Sequence, residues 1–288
     1  NKDTGIVVGS GYVRRTVNGG TTWSAIIPNP VINFGGLQFI NNSIGWAVGN
    51  NVCFRVTNFG STFTAVTTVP AFSGDLNEVF FLNGNTGCVS GPTGTIIRTN
   101  NGGVSWEDKF IGTGSLSFTS LSFFDDNTGW ASASGFVMRT TNGGRNWTNQ
   151  TPIGFSINAV KPFSNNTIVA VGVGGTILRS TNGGNSWTPI VSNSINNLRG
   201  MHFIGARGWV VGAIGTILTT TDSGATWVTQ NSGIQTDLLG VHFIDTQNGW
   251  AVGTLGTVLR TTNGGSTWVQ VRSAGSDILR DVHFTSAT

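Results

Sequence analysis

The sequence predicts an all-β chain folded as a seven-bladed β-propeller with four-stranded antiparallel blades. Three observations carry that prediction. A turn motif recurs at a near-constant period along all 288 residues, four strand-like runs fill each period, and the two chain ends are complementary pieces of one repeat.

The motif is clearest at Asn263-Gly264-Gly265-Ser266-Thr267-Trp268, with relatives at Asn18 to Trp23, Asn101 to Trp106, Asn142 to Trp147 and Asn182 to Trp187. Two copies have drifted, Asn58-Phe59-Gly60 ending in Phe63 and Asp222-Ser223-Gly224 ending in Trp227. The closing aromatics Trp23, Phe63, Trp106, Trp147, Trp187, Trp227 and Trp268 stand 40 to 43 residues apart, so seven units account for the chain. Within a unit, Leu198 to Phe203 alternates as a first strand. Gly208 to Gly212 is a second run bounded by glycines, Thr216 to Thr220 a third, and Thr226 to Val228 a fourth after the turn. No window shows the i, i+3, i+4, i+7 spacing of a helix. Radial repetition of such sheets leaves only short, protected edges.

The ends give an independent check. Asp281 to Phe284 reads as a first strand with nothing after it, and Gly5 to Gly9 as a second strand with nothing before it. The last strand is therefore expected to join the N-terminal three and close the ring, making residues 1–288 a single propeller. The chain begins at Asn1, without Met or signal peptide, and is expected to be a piece excised or processed from a longer protein.

Composition narrows the function. Only 9% of residues are charged, and the pI near 9.3 rests on a surplus of three positive charges. Lys and Arg are spread thinly rather than gathered in a patch, which argues against a nucleic-acid partner. No apolar run is long enough to span a membrane, so no membrane insertion is expected. Cys53 and Cys88 make neither a disulfide framework nor a metal motif and read as buried thiols.

The turn motif reads as a structural device. Its glycines supply positive φ, its Asn or Asp can lock the turn by bonding N–H groups two residues on, and its Trp can bury an apolar face between sheets. Arg15, Arg55, Arg98, Arg139, Arg179 and Arg260 share one third-strand position in six units, with Thr219 the exception. Each is expected to stack on a ring or bond a loop carbonyl, the alternative being an arginine ring for an acidic partner.

At this point a family resemblance enters. Gly249-Trp250-Ala251-Val252-Gly253, followed by Gly256 to Gly265 and Trp268, resembles the repeat of the photosystem II assembly factor family called Ycf48 or HCF136, and the turn is similar to the BNR or Asp-box of sialidases. The resemblance runs through all seven units. It implies the propeller fold and protein binding during assembly. Similar repeats occur in secreted and cell-surface bacterial proteins, and the abundance of Asn, Thr and Ser beside few Lys and Glu resembles that group, so an extracellular or cell-surface location is expected.

No catalytic residues emerge. A sialidase needs a Tyr activated by a Glu, yet Tyr12 is the only tyrosine and Glu78 and Glu107 the only glutamates. Glu78 and Asp281 hold one first-strand position and form the best carboxylate pair for a glycosidase, but the repeat order sets their blades three apart. His202, His242 and His283 share another first-strand position in consecutive units, held elsewhere by Gln38, Phe80, Ser122 and Lys161. Near the channel they could form a polar ligand site or bind a metal. The alternative is histidines packed between blades and bonded to backbone carbonyls, and no metal or other cofactor is assigned. Residues that differ between units are further candidates. Phe59, Phe72, Phe110 and Phe155 could make a rim for protein or sugar, or tuck under their own loops.

The leading expectation is a non-catalytic, monomeric binding scaffold with a protein partner. A glycan-binding module is the alternative, and a hydrolase stands third.

Overall fold

The computed structural model describes residues 3–26, 32–66, 75–110, 116–133, 135–152, 154–272 and 275–285. Its strands form seven four-stranded antiparallel sheets arranged as a closed ring. The innermost strands are Leu279–Phe284 (blade I), Phe34–Phe39 (II), Glu78–Phe81 (III), Phe118–Phe123 (IV), Ile157–Pro162 (V), Leu198–Ile204 (VI) and Leu238–Phe243 (VII). Blade I closes as the ends predict. Leu279–Phe284 pairs with Gly5–Gly9, which pairs with Tyr12–Thr16 and then Ser24–Ala25.

The Gly-Trp-Ala-Val-Gly second strand is explained by what lies against each residue. A Cβ on Gly249 would sit 2.4 Å from the ring of Phe243, and one on Gly253 only 1.9 Å from the carbonyl of Asp237. The same close approaches recur at Gly129 against Phe123, Gly208 against Phe203 and Gly172 against Ser156. Glycine is thus imposed by the inner strand and its entry loop.

At three joints among the described residues, the second-strand Trp lies flat on the first-strand Phe of the next blade. Trp46 stacks on Phe81 at 3.6 Å between centroids, Trp209 on Phe243 at 3.5 Å and Trp250 on Phe284 at 3.5 Å. The indole N–H of each donates to the carbonyl of the first turn glycine of that next blade, Gly102 at 3.2 Å, Gly264 at 3.1 Å and Gly19 at 3.0 Å. The turn's own Trp meets the same Phe edge-on, as in Trp268 with Phe243 at 5.8 Å. The turn aromatic also buries a face between sheets, as expected: Trp106, Trp147, Trp187 and Trp268 are half-buried and Trp227 buried, each packed on a core drawn from two adjacent blades, while the second-strand Trp residues are fully buried. Where the second-strand Trp is missing, a smaller apolar group stands there. Cys88 does so in blade III, and both cysteines are buried free thiols.

The turn is locked over a longer span than two residues. Asn263 Oδ1 accepts the N–H of Thr267, four residues on, at 2.9 Å. The hydroxyl of Thr261, two residues before the box, accepts the N–H of Gly265 at 2.8 Å and donates to Asn263. Thr16, Thr99, Thr140, Ser180 and Thr220 repeat this in five other blades. In blade II the hydroxyl is replaced by Val56, and there Asn58 and Phe59 take positive φ.

The third-strand arginines serve the same joints. Arg15 donates to the carbonyl of Phe59 at 2.8 Å and Arg179 to that of Ser223 at 3.2 Å, while Arg139 and Arg260 lie over Trp130 and Trp250. In blade VI, where Thr219 breaks the series, Arg207 reaches from the neighbouring strand over Trp209 and donates to Gly264 O at 3.1 Å. Arg98 is buried and Arg55 exposed.

Phe284 is held between Trp250 and Trp23 at the joint that closes the ring. Phe284→Ala is expected to cost about 3–5 kcal/mol, read as a lowered midpoint in urea unfolding.

Candidate functional site: the central channel and its mouth

The seven innermost strands surround a channel of about 550 Å³. Each has one edge paired to its own blade and the other free, so its free N–H groups need acceptors. Side chains of the preceding blade supply them. Asp281 accepts the N–H of Leu37 at 2.9 Å, Ser120 that of Val160 at 3.3 Å, and Gln38 that of Phe81. His202 Nδ1 accepts the N–H of Phe243 and His242 Nδ1 that of Phe284, both at 3.4 Å.

These contacts revise the expectation for the histidines. They bond backbone amides, not carbonyls, and a ring nitrogen that accepts must be unprotonated. Burial holds all three imidazoles neutral, pulling His202 down to about 3, His283 to about 4 and His242 well below the usual range. They form a ladder with centroids 4.6 Å apart from His202 to His242 and 4.1 Å from His242 to His283, continued by Phe39 at 5.2 Å. Among the described residues no cluster of His, Cys, Asp or Glu is arranged to hold a metal ion.

Glu78 and Asp281 are brought together, and here the repeat order is corrected. Their blades, III and I, are two apart, with only blade II between them. Gly36 of blade II opens that space, since a Cβ there would lie 3.0 Å from Glu78 Oε1. Burial and the neighbouring Asp281 carboxyl push Glu78 well above the usual carboxylate range. Burial raises Asp281 to about 7, against the hydrogen bonds from Leu37 and Val282. Lys161 enters from blade V with its Nζ 5.9 Å from the centre of the Phe80 ring. Burial lowers its pKa and the Glu78 carboxyl opposes that.

The mouth at the N-terminal ends of the inner strands is built by β-bulges. Gly35, Thr119, Asn158, Arg199, Leu239 and Arg280 are the unpaired residues at the register shifts. Several reach the next blade, as Asn158 Nδ2 does to Leu198 O at 2.7 Å and Arg199 to Asp237 at 3.2 Å.

The rim aromatics divide. Phe59 is 48% exposed, whereas Phe155 packs against the core between blades IV and V. Phe72 lies outside the described residues, as does the side chain of Phe110. Sequence reasoning missed a different apolar group. Val173, Ile214 and Leu255 occupy the turns between second and third strands of blades V, VI and VII, 45%, 52% and 54% exposed, with Ile195 beside them at 89%. Ile214 and Leu255 hold φ of 54° and 56°, the region that Gly174 occupies in blade V. Lining up the seven turns would have shown both residues where glycine is the easy choice.

A buried carboxyl with a raised pKa keeps its proton in the fold after the unfolded chain has released it. Asp281 should therefore withdraw stability as pH rises from 3.8 through about 7, and no more beyond. In urea unfolding across that window, Asp281→Asn is expected to gain on the wild type as pH rises, because the amide oxygen can still accept from Leu37.

A family model described as photosynthesis system II assembly factor YCF48 matches residues 67–202. No curated protein matches the chain by sequence. Among solved structures, one described as YCF48 bound to D1 peptide superposes with a TM-score of 0.74 at 20% identity, covering 91% of both chains. YCF48 from Cyanidioschyzon merolae gives 0.72 at 21% identity over 92% of both. The GH74 xyloglucanase from Xanthomonas campestris gives 0.70 at 11% identity, covering 94% of this chain and 52% of that enzyme's. In fold the chain is a seven-bladed propeller similar to YCF48, and residues 67–202 match that family's model.

Proposed function

We propose that this propeller is a non-catalytic scaffold whose protein partner docks an apolar segment on the turns of blades V, VI and VII beside the channel mouth. The observation that carries this reading is the strain at Ile214 and Leu255. A side chain in the left-handed region costs roughly 1–2 kcal/mol, and at these exposed positions no packing within the fold repays it.

The turns are held as a platform. Asn197 accepts the N–H of Gly174 with its side chain at 3.0 Å and that of Ala213 with its carbonyl at 2.8 Å. Asp237 does the same for Ile214 and Thr254, each at 3.0 Å, and its other carboxylate oxygen holds Arg199. Apolar side chains on a fixed backbone lose little freedom on binding. Arg280, exposed at the mouth, suits an acidic residue flanking the docked segment.

The solved YCF48 with a D1 peptide supports the reading by showing a peptide ligand on a propeller of this fold. A surface whose polarity comes from Asn, Thr and Ser fits an extracellular or cell-surface setting. A glycan-binding rim has less support, since Phe59 alone of the four rim aromatics is both described and exposed, and it lies on the opposite face.

The test is crosslinking in the native cell followed by mass spectrometry, with wild type, the double variant Ile214→Gly/Leu255→Gly and, as control, Phe59→Ala. The double variant should fold with stability within about 1 kcal/mol of wild type, because relief of strain offsets the entropy of glycine. It should lose a partner that Phe59→Ala keeps. An unchanged set of partners in the double variant would overturn the assignment, and saturable binding to one sugar family on a glycan array would favour the lectin reading.

A further inference from the structure

Sealing the inner edges leaves part of the channel's polar chemistry unused. The Nδ1 atoms of His202 and His242 accept from the next blade, so those neutral rings carry their protons on Nε2. All three imidazoles line the channel, and none of their nitrogens is among the buried side-chain atoms left without a partner. Solvent in the channel therefore reaches the Nε2 positions, which have no hydrogen-bond partner among the described residues.

Next to the histidines stands Lys161, which also lines the channel and forms no salt bridge within 4.0 Å among the described residues. Its ammonium can reach toward Phe80 because blade IV presents only Ser122 between them. Ser122 is 4% exposed and its hydroxyl is closed off from the channel, so it leaves the Lys161 ammonium without a competing partner there.

We propose that this arc of the channel wall, from Lys161 in blade V through His202 and His242 to His283 in blade I, binds a small oxyanion. Lys161 supplies the charge, and the imidazole N–H groups supply hydrogen bonds. The oxyanion is either free or the acid end of a short organic molecule. A channel of about 550 Å³ admits both.

The other titratable groups facing the channel are compatible with an anion. Glu78 and Asp281 sit two residues further toward the mouth along their strands, about 6–7 Å away. Burial raises both, and each opposes ionisation of its neighbour, so the pair retains a proton through neutral pH. Arg280 adds positive charge at the opening, where Arg199 is paired with Asp237. A bound anion favours protonated Lys161 and protonated carboxyls, so binding takes up protons and strengthens from about pH 8 to about pH 6.

The test uses the full chain with ¹⁵N-labelled histidine, titrated separately with inorganic phosphate and with succinate. The histidine Nε2 resonances report occupancy and calorimetry gives the affinity. We expect at least one anion to shift the Nε2 signals saturably and to bind more tightly at the lower pH. The stronger of the two distinguishes a tetrahedral anion from a carboxylate. Lys161→Met should weaken binding by about tenfold or more, the loss of one charge-assisted contact, while Lys161→Arg retains it. If Lys161→Met does not fold, the polar Lys161→Gln takes its place, with the same loss expected. Nε2 signals that ignore both anions, or an affinity unchanged by these variants, would overturn the proposal.

Discussion

The structure depends on one repeated joint. An indole from one blade lies on a phenyl ring of the next and donates its N–H to the turn of that same blade. Aromatic stacking supplies apolar burial and the single hydrogen bond sets the angle, so the joint fixes how far each sheet is rotated from its neighbour. The glycines that bound most second strands, the arginine over the indole and the hydroxyl that ties the turn make room for this joint or hold its parts in place.

The channel follows from the same geometry. Once the sheets are fixed radially, their inner edges are too splayed to pair with one another, and side chains must cap the free amides. Polar residues at the inner positions are thus structural first. That requirement explains why His202 and His242 can sit side by side and neutral, and why a carboxyl such as Asp281 tolerates burial. Lys161 falls outside that duty, and the cavity beside it is where chemistry beyond the fold has room.

Blade number, strand order and ring closure were legible in the sequence because each rests on a pattern repeated seven times. The burial of Cys53 and Cys88 was legible too, as was the role of most third-strand arginines. Distances across the ring were not. The convergence of Glu78 with Asp281 depends on Gly36 in the intervening blade, and no spacing rule reports that. Backbone handedness was equally hidden, so Ile214 and Leu255 read as ordinary loop residues until their φ angles were known. The tautomers of His202 and His242 follow from a hydrogen bond to another blade, some forty positions away in the chain.

The joint also has a direction. Blade VII receives the indole of blade VI on one side and offers its own to blade I on the other, so the contact is heterologous and the full circle is what satisfies it. A fragment of blades III to VI would carry the uncovered phenyl face of Phe81 at one end and the uncovered indole face of Trp209 at the other, complementary to a second copy of itself. Such pieces are built to add head to tail, and the ring is the arrangement in which that self-association ends inside one molecule.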